Sequence, residues 1–141
     1  MKKMILAFSV LTLVFSSCKK DKTDAPVTAT KENLTGTYKM TAATMASGGT
    51  SVDVFNNDNF TEPCERDDIY KLNADNSYSI QDAGTVCSPS NDYSGGTWSL
   101  DNSTTLNLDG EIGTIKSWNG KTLVVDYAMS GVTLSSTYVK Q

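Results

Sequence analysis

Four turn signals divide residues 101–141 into runs too short for a helix. Asp101-Asn102-Ser103, Asp109-Gly110, Asn119-Gly120 and Ser130-Gly131 leave Thr104–Leu108, Glu111–Trp118, Lys121–Met129 and Val132–Val139 between and after them. Asn, Asp and Gly tolerate the positive φ that a tight hairpin turn demands, and Asn-Gly between alternating runs is the strongest short-range hairpin signal. Strands joined this tightly pair antiparallel, because a parallel pair needs a crossover of a dozen or more residues. This part of the chain is therefore constrained to a meander.

The pattern extends toward the N-terminus. Gly36–Met45 alternates with Tyr38, Met40 and Ala42 on one face, Glu65–Leu72 with Tyr70 and Leu72, Ser77–Asp82 with Tyr78 and Ile80, and Thr97–Leu100 with Trp98 and Leu100. No window of helical length carries an apolar stripe at i, i+3, i+4. A single turn at Thr30–Leu34 is the one helix candidate. The reading is all-β: eight antiparallel strands closing into an up-and-down β-barrel, which removes exposed edges. An open two-sheet sandwich competes, but Greek keys need a long crossover and most loops here are short. Residues 46–63 are the one long connection and sit where a barrel would carry a lid.

Residues 1–33 have a different character. Lys2-Lys3, the apolar run Met4–Phe15 and Ser16-Ser17-Cys18 follow the order of an export leader, and the run is too short to span a membrane. The segment resembles a bacterial lipobox, with Phe15 where Leu is commoner. That resemblance implies a signal peptide over residues 1–17, a diacylglycerol or palmitate-bearing anchor on Cys18, and a place in the bacterial cell envelope. There the protein is held at the outer membrane, facing the periplasm or the surface. An ordinary secretory leader is the plainer alternative. Residues 18–33, with Lys19, Lys20, Lys22 and Pro26, read as anchor and flexible tether, and residues 34–141 as the domain. Membrane contact is expected through the lipid alone.

Charge and composition exclude several functions. Twelve Lys and Arg face sixteen Asp and Glu, for a net charge of −4, which argues against nucleic acid as a partner. The chain has no histidine. That removes the commonest general base, the commonest metal ligand and the Ser-His and Cys-His nucleophile pairs. The expectation is a binding protein, not an enzyme, with no cofactor. The acidic group Asp58, Glu62, Glu65, Asp67 and Asp68 lacks EF-hand spacing and reads as a solvated face, so no metal is expected. Asp68, if turned inward beside Tyr70, needs a partner such as Arg66 or a tyrosine hydroxyl.

The remaining cysteines follow from strand register. Pairing Leu72 with Tyr78 and Tyr70 with Ile80 puts Asn73 opposite Ser77 around Ala74-Asp75-Asn76, with Asn76 in the left-handed position. Cys64 and Cys87 then fall one step off that register just beyond the strand ends, where a small bulge lets them join. The export leader makes a disulfide chemically reasonable, and its loop closure is worth about 3 kcal/mol. A thiolate metal site lacks a CxxC pair and any histidine.

Gly36-Thr37-Tyr38-Lys39, the stretch Cys64–Tyr78 (CERDDIYKLNADNSY), Cys87 and Gly96-Thr97-Trp98-Ser99-Leu100 together resemble the lipocalin-like domain of many small bacterial lipoproteins. The resemblance covers about residues 34–139. Tyr38 stands where Trp is usual, Leu72 where Phe is usual and Asn76 where Gly is usual. It implies a calycin-type barrel and constrains function only loosely.

Fifteen residues are expected to face the barrel interior. They are Tyr38, Met40, Tyr70, Leu72, Tyr78, Ile80, Trp98 and Leu100, followed by Leu106, Leu108, Leu123, Val125, Tyr127, Leu134 and Tyr138. Of these, Tyr38, Met40, Tyr70, Tyr78, Trp98, Tyr127 and Tyr138 are the candidate contacts for a small hydrophobic or amphipathic ligand. Phe55 and Phe60, with Val52 and Val54, would supply a greasy lid. Trp98 also suits a structural floor plug, and side chains alone can fill a barrel of this size. The second functional reading is a closed, ligand-free barrel that docks an envelope protein through residues 46–63, as an assembly factor or protease inhibitor. A monomer is expected in either case.

Overall fold

The computed structural model describes residues 26–141. The expected signal peptide over residues 1–17, with Cys18, Lys19, Lys20 and Lys22, lies outside the described residues. Among those described, no helix is long and apolar enough to cross a membrane.

The alternating runs become nine antiparallel strands: β1 (Gly36–Ser47), β2 (Thr50–Asp53), β3 (Ile69–Leu72), β4 (Ser77–Gln81), β5 (Tyr93–Asp101), β6 (Thr105–Leu108), β7 (Glu111–Trp118), β8 (Thr122–Met129) and β9 (Val132–Lys140). Each pairs with the next in the order β2-β1-β3-β4-β5-β6-β7-β8-β9, and β1 also pairs with β9. That last pairing closes β1 and β3 to β9 into an eight-stranded barrel and excludes the open sandwich. The chain belongs to the all-β class, with β2 as a ninth strand outside the barrel wall.

The second hairpin has the expected register. Leu72 faces Tyr78 and Tyr70 faces Ile80 across β3 and β4. Asn76 takes a φ of 71°, and its amide donates to the Asn73 carbonyl. Asn reaches this region because its short polar side chain satisfies itself locally. The Cys64–Cys87 disulfide is present, with Cα atoms 5.3 Å apart.

Several boundaries differ from expectation, for local reasons. Residues 46–63 are not a plain loop. Gly48 and Gly49, both at positive φ, turn the chain back so that β2 pairs with the upper end of β1, Met45 facing Val52. The strand expected from Glu65 starts only at Ile69, because Pro63 opens a short 3-10 turn over Pro63–Glu65. Its first amide donor is satisfied by the Glu65 carboxylate at Glu62 N, 2.8 Å. The strand expected at Thr97–Leu100 is longer and begins at Tyr93. Gly95 and Gly96 hide it from propensity, since Gly is depleted in strands. Gly96 is required there: a Cβ would come 2.8 Å from the Tyr93 ring and 2.9 Å from the Tyr78 ring.

Two bulges set which side chains point inward. The register of β1 against β9 slips between Met40 and Ala42, so the inward phase passes from Met40 to Ala43, which is buried. Ala42, which alternation puts on the face of Tyr38 and Met40, is displaced by that extra residue. In β7 the slip lies between Ile115 and Ser117 and brings Trp118 into the core.

The chain also docks earlier than expected. The single helical turn α1 (Lys31–Leu34) forms, capped by Thr30, whose hydroxyl accepts from Asn33 N. Leu34 and Ala29 are buried, and Val27 N donates to the Trp118 carbonyl at 2.8 Å. Residues 26–33 are thus packed on the barrel, which shortens the tether expected over residues 18–33.

Candidate functional site

The barrel has two unlike ends. The turns at Asn73–Ser77, Asp101–Thr105 and Asn119–Thr122, together with α1, gather at one end, here the floor. The Asp109-Gly110 and Ser130-Gly131 turns, the β1–β2 hairpin and the disulfide corner ring the other, the mouth.

The floor is filled. Tyr38, Trp98, Trp118, Leu34, Leu106 and Leu123 are all at most 2% exposed. Buried polar tips need partners, and each aromatic here has one. The Tyr38 hydroxyl donates to the Leu34 carbonyl at 2.6 Å. The Trp98 indole donates to the Asn73 carbonyl at 2.8 Å, and the Trp118 indole to Asn33 Oδ1 at 3.1 Å. Lys140 donates to the Asn33 carbonyl at 2.7 Å and stands 5.9 Å from the ring centroids of both Tyr38 and Trp118. Its amine is pushed below the usual lysine range by burial. The void left among Tyr38, Leu72, Leu106 and Leu123 is about 20 Å³.

The upper half is hollow. A cavity of about 440 Å³ opens at the mouth, within the range of small-molecule sites. Of the candidate ligand contacts, Met40, Tyr70, Tyr78, Tyr127 and Tyr138 line it. Tyr38 and Trp98 lie below, in the floor. Phe55 and Phe60 do not line it. Phe60 is 56% exposed and borders two smaller depressions with Val54 and Met45, one of which shares Met40, Leu134 and Ser136 with the cavity. Val54 is buried, its amide bonded to the Ala43 carbonyl at 3.0 Å.

The lining also includes residues that sequence reading did not single out. Tyr93, Asp109, Glu111 and Met129 form the rim and Ser136 sits deeper. Tyr93 was hidden by the glycines after it. Gly113 is another missed signal: a Cβ there would meet the Tyr127 ring at 2.7 Å, so a glycine facing inward on β7 makes room for a tyrosine from β8.

The tyrosines are neutral hydrogen-bonding groups on an apolar wall. Tyr70 and Tyr138 stack edge to face, centroids 5.3 Å apart, and Tyr78 leans on Tyr93 at 6.0 Å. Burial pushes the hydroxyls of Tyr70, Tyr78, Tyr127 and Tyr138 above the usual phenol range. The Tyr138 hydroxyl faces those of Ser136 and Tyr127. At the rim, Tyr93 donates a short hydrogen bond to Asp109.

Polar contacts and the disulfide fasten the mouth. Arg66 donates from Nε to the Phe55 carbonyl at 2.7 Å and from Nη2 to the Thr61 carbonyl at 2.9 Å, and it pairs with Asp58. It is therefore not the partner of Asp68. That carboxylate is 2% exposed and accepts from Asn91 Nδ2 at 2.8 Å. Its second oxygen and Asn91 Oδ1 are buried with no partner among the described residues. Burial raises the Asp68 carboxyl above its ordinary range, with Asp82 and Asp67 adding like charge. Protonation would turn one acceptor of this acceptor-rich pair into a donor. Asp82 goes the other way. Burial opposes its ionisation, but the amides of Cys87 and Asn91 donate to it and hold its carboxyl below the usual range. Glu62, Cys64 and Cys87 are the one group of three possible metal ligands among the described residues, and the disulfide takes both sulfurs out of thiolate chemistry.

A closed up-and-down barrel, plugged at one end and hollow at the other, is the architecture of a lipocalin-type protein. The model of the lipocalin-like domain family matches residues 34–134, and the chain belongs to that family. Neither a curated protein nor a solved structure matches the chain.

Proposed function

We propose that this protein is a lipid-anchored binding protein of the bacterial envelope that takes a small hydrophobic or amphipathic ligand into the upper half of its barrel. It acts by binding and not by catalysis. The observation that carries the reading is the mouth cavity of about 440 Å³ above a floor that leaves about 20 Å³. A barrel shaped only for stability has no use for such a void, since empty apolar volume costs stability. The chain enters at the floor, where Val27 bonds Trp118. A lipid on Cys18, eight residues before Pro26, would hold the floor toward the bilayer and the mouth away from it, within at most about 28 Å of tether.

Two experiments test the reading. A fluorescent fatty probe should bind the purified domain and be displaced by unlabelled hydrophobes. Ile80→Trp, which fills the cavity wall, should abolish binding while leaving the fold intact. Probe binding that survives Ile80→Trp and is lost with Phe60→Ser would favour docking through residues 46–63 instead. For the anchor, mass spectrometry of the membrane-extracted protein should find the diacylglyceryl thioether on Cys18, and Cys18→Ala should move the protein to the soluble fraction.

A further inference from the structure

The cavity's lining has a one-sided charge. Asp109 and Glu111 stand on its rim, and among the described residues no lysine or arginine lines it. Both residues line the hollow together with Tyr78 and Tyr127, and their negative charge helps hold those two phenols protonated. Asp109 is engaged by one donor, the Tyr93 hydroxyl, which leaves lone pairs free, and Glu111 is exposed. Neither forms an ion pair among the described residues. Below them the wall presents tyrosine rings. Those rings offer the apolar body of a ligand a flat surface to lie against. A carboxylate or sulfate headgroup would meet two like charges and no counterion there. A neutral hydrophobe would leave the rim acids unused.

We infer that the ligand class selected at this mouth is the organic cation with an apolar body: an amine or quaternary ammonium held between Asp109 and Glu111, its tail laid against Tyr70, Tyr127 and Tyr138. The inference rests on the reading of the cavity as a ligand site. It adds the sign of the headgroup and the residues that choose it. Asp109 and Glu111 are the specificity residues, and the tyrosines supply affinity that does not depend on charge.

The test uses three probes with one tail and three heads: decyltrimethylammonium, decanol and decyl sulfate, each below its micelle concentration. Binding is followed by calorimetry and by intrinsic fluorescence. The cation should bind about tenfold more tightly than decanol, and decyl sulfate most weakly, since two exposed charge contacts together reach about that scale. The preference should weaken with added salt. In Asp109→Asn/Glu111→Gln it should collapse to near unity while decanol affinity holds. Asp101→Asn, which removes one charge at the floor, should leave it unchanged. Equal binding of all three probes by the native protein would overturn the inference and leave the cavity a ligand site. Preference retained in the double variant would also overturn it. Binding of none would overturn the site reading itself, and the inference with it.

Discussion

The floor and the mouth are built from the same strands and many of the same residue types, yet one is solid and the other hollow. At the floor, every large aromatic has its polar tip tied to main chain or to Asn33, and α1 with residues 26–30 seals the end. At the mouth, tyrosine hydroxyls face one another and the open space. The acids on the rim have no basic partner among the described residues. The difference teaches that stability and binding are separated along the barrel axis. The floor supplies the packing, so the mouth can keep a void that a smaller or uniform barrel could not sustain.

The comparison breaks most visibly at the floor. Trp98→Ala should cost about 3–5 kcal/mol in denaturant unfolding, the usual range for a large buried aromatic. A loss below about 1 kcal/mol would mean the floor is not the stabilising half. Next in size is the mouth's covalent clasp. Cys64→Ala/Cys87→Ala opens a link between residues 23 apart and should cost about 3 kcal/mol by chain entropy, with the probe affinity of the cavity falling as its corner loosens.

Asp68→Asn should go the other way. A carboxyl whose pKa is raised by folding binds more protons in the folded state. Its contribution is complete below its unfolded pKa and is lost as pH rises through the folded value. An asparagine supplies the missing donor to Asn91 at every pH. The variant should therefore gain about 1–2 kcal/mol at pH 8, the cost of a buried orphan group, and the gain should shrink toward acidic pH in matched melts. The opposite pH trend would mean that Asp68 has a cationic partner. The smallest effect is at the mouth itself. Tyr127→Phe should change stability by less than about 1 kcal/mol, measured beside Trp98→Ala in the same denaturant series.

Much of this was legible in sequence because turns are local. Asn119-Gly120, Ser130-Gly131 and the left-handed Asn76 mark where the chain reverses, and the register they impose brought Cys64 to Cys87. All fifteen side chains expected inside do join the core or its partly buried fringe. What escaped is what depends on neighbours distant in sequence. The bulges that admit Ala43 and Trp118 leave no mark in alternation. Tyr93 and Glu111 belong to the cavity only because Gly96 and Gly113 let the rings of β4, β5 and β8 approach. Ala29 and Val27 read as tether until the floor they cover is seen. Phe55 and Phe60 look like a lid by composition, but Arg66 ties down the Phe55 and Thr61 carbonyls and neither ring lines the mouth cavity.

The most direct test of the division between a solid floor and a ligand-holding mouth is a crystal structure of the protein grown with a decylammonium probe brominated at its tail. The anomalous bromine peak should lie among Tyr70, Tyr127 and Tyr138, with Asp109 and Glu111 around the head and the floor unchanged from Trp98 to Trp118. A cavity closed by collapsed tyrosine side chains, or a bromine peak only in the depression beside Phe60, would contradict the account.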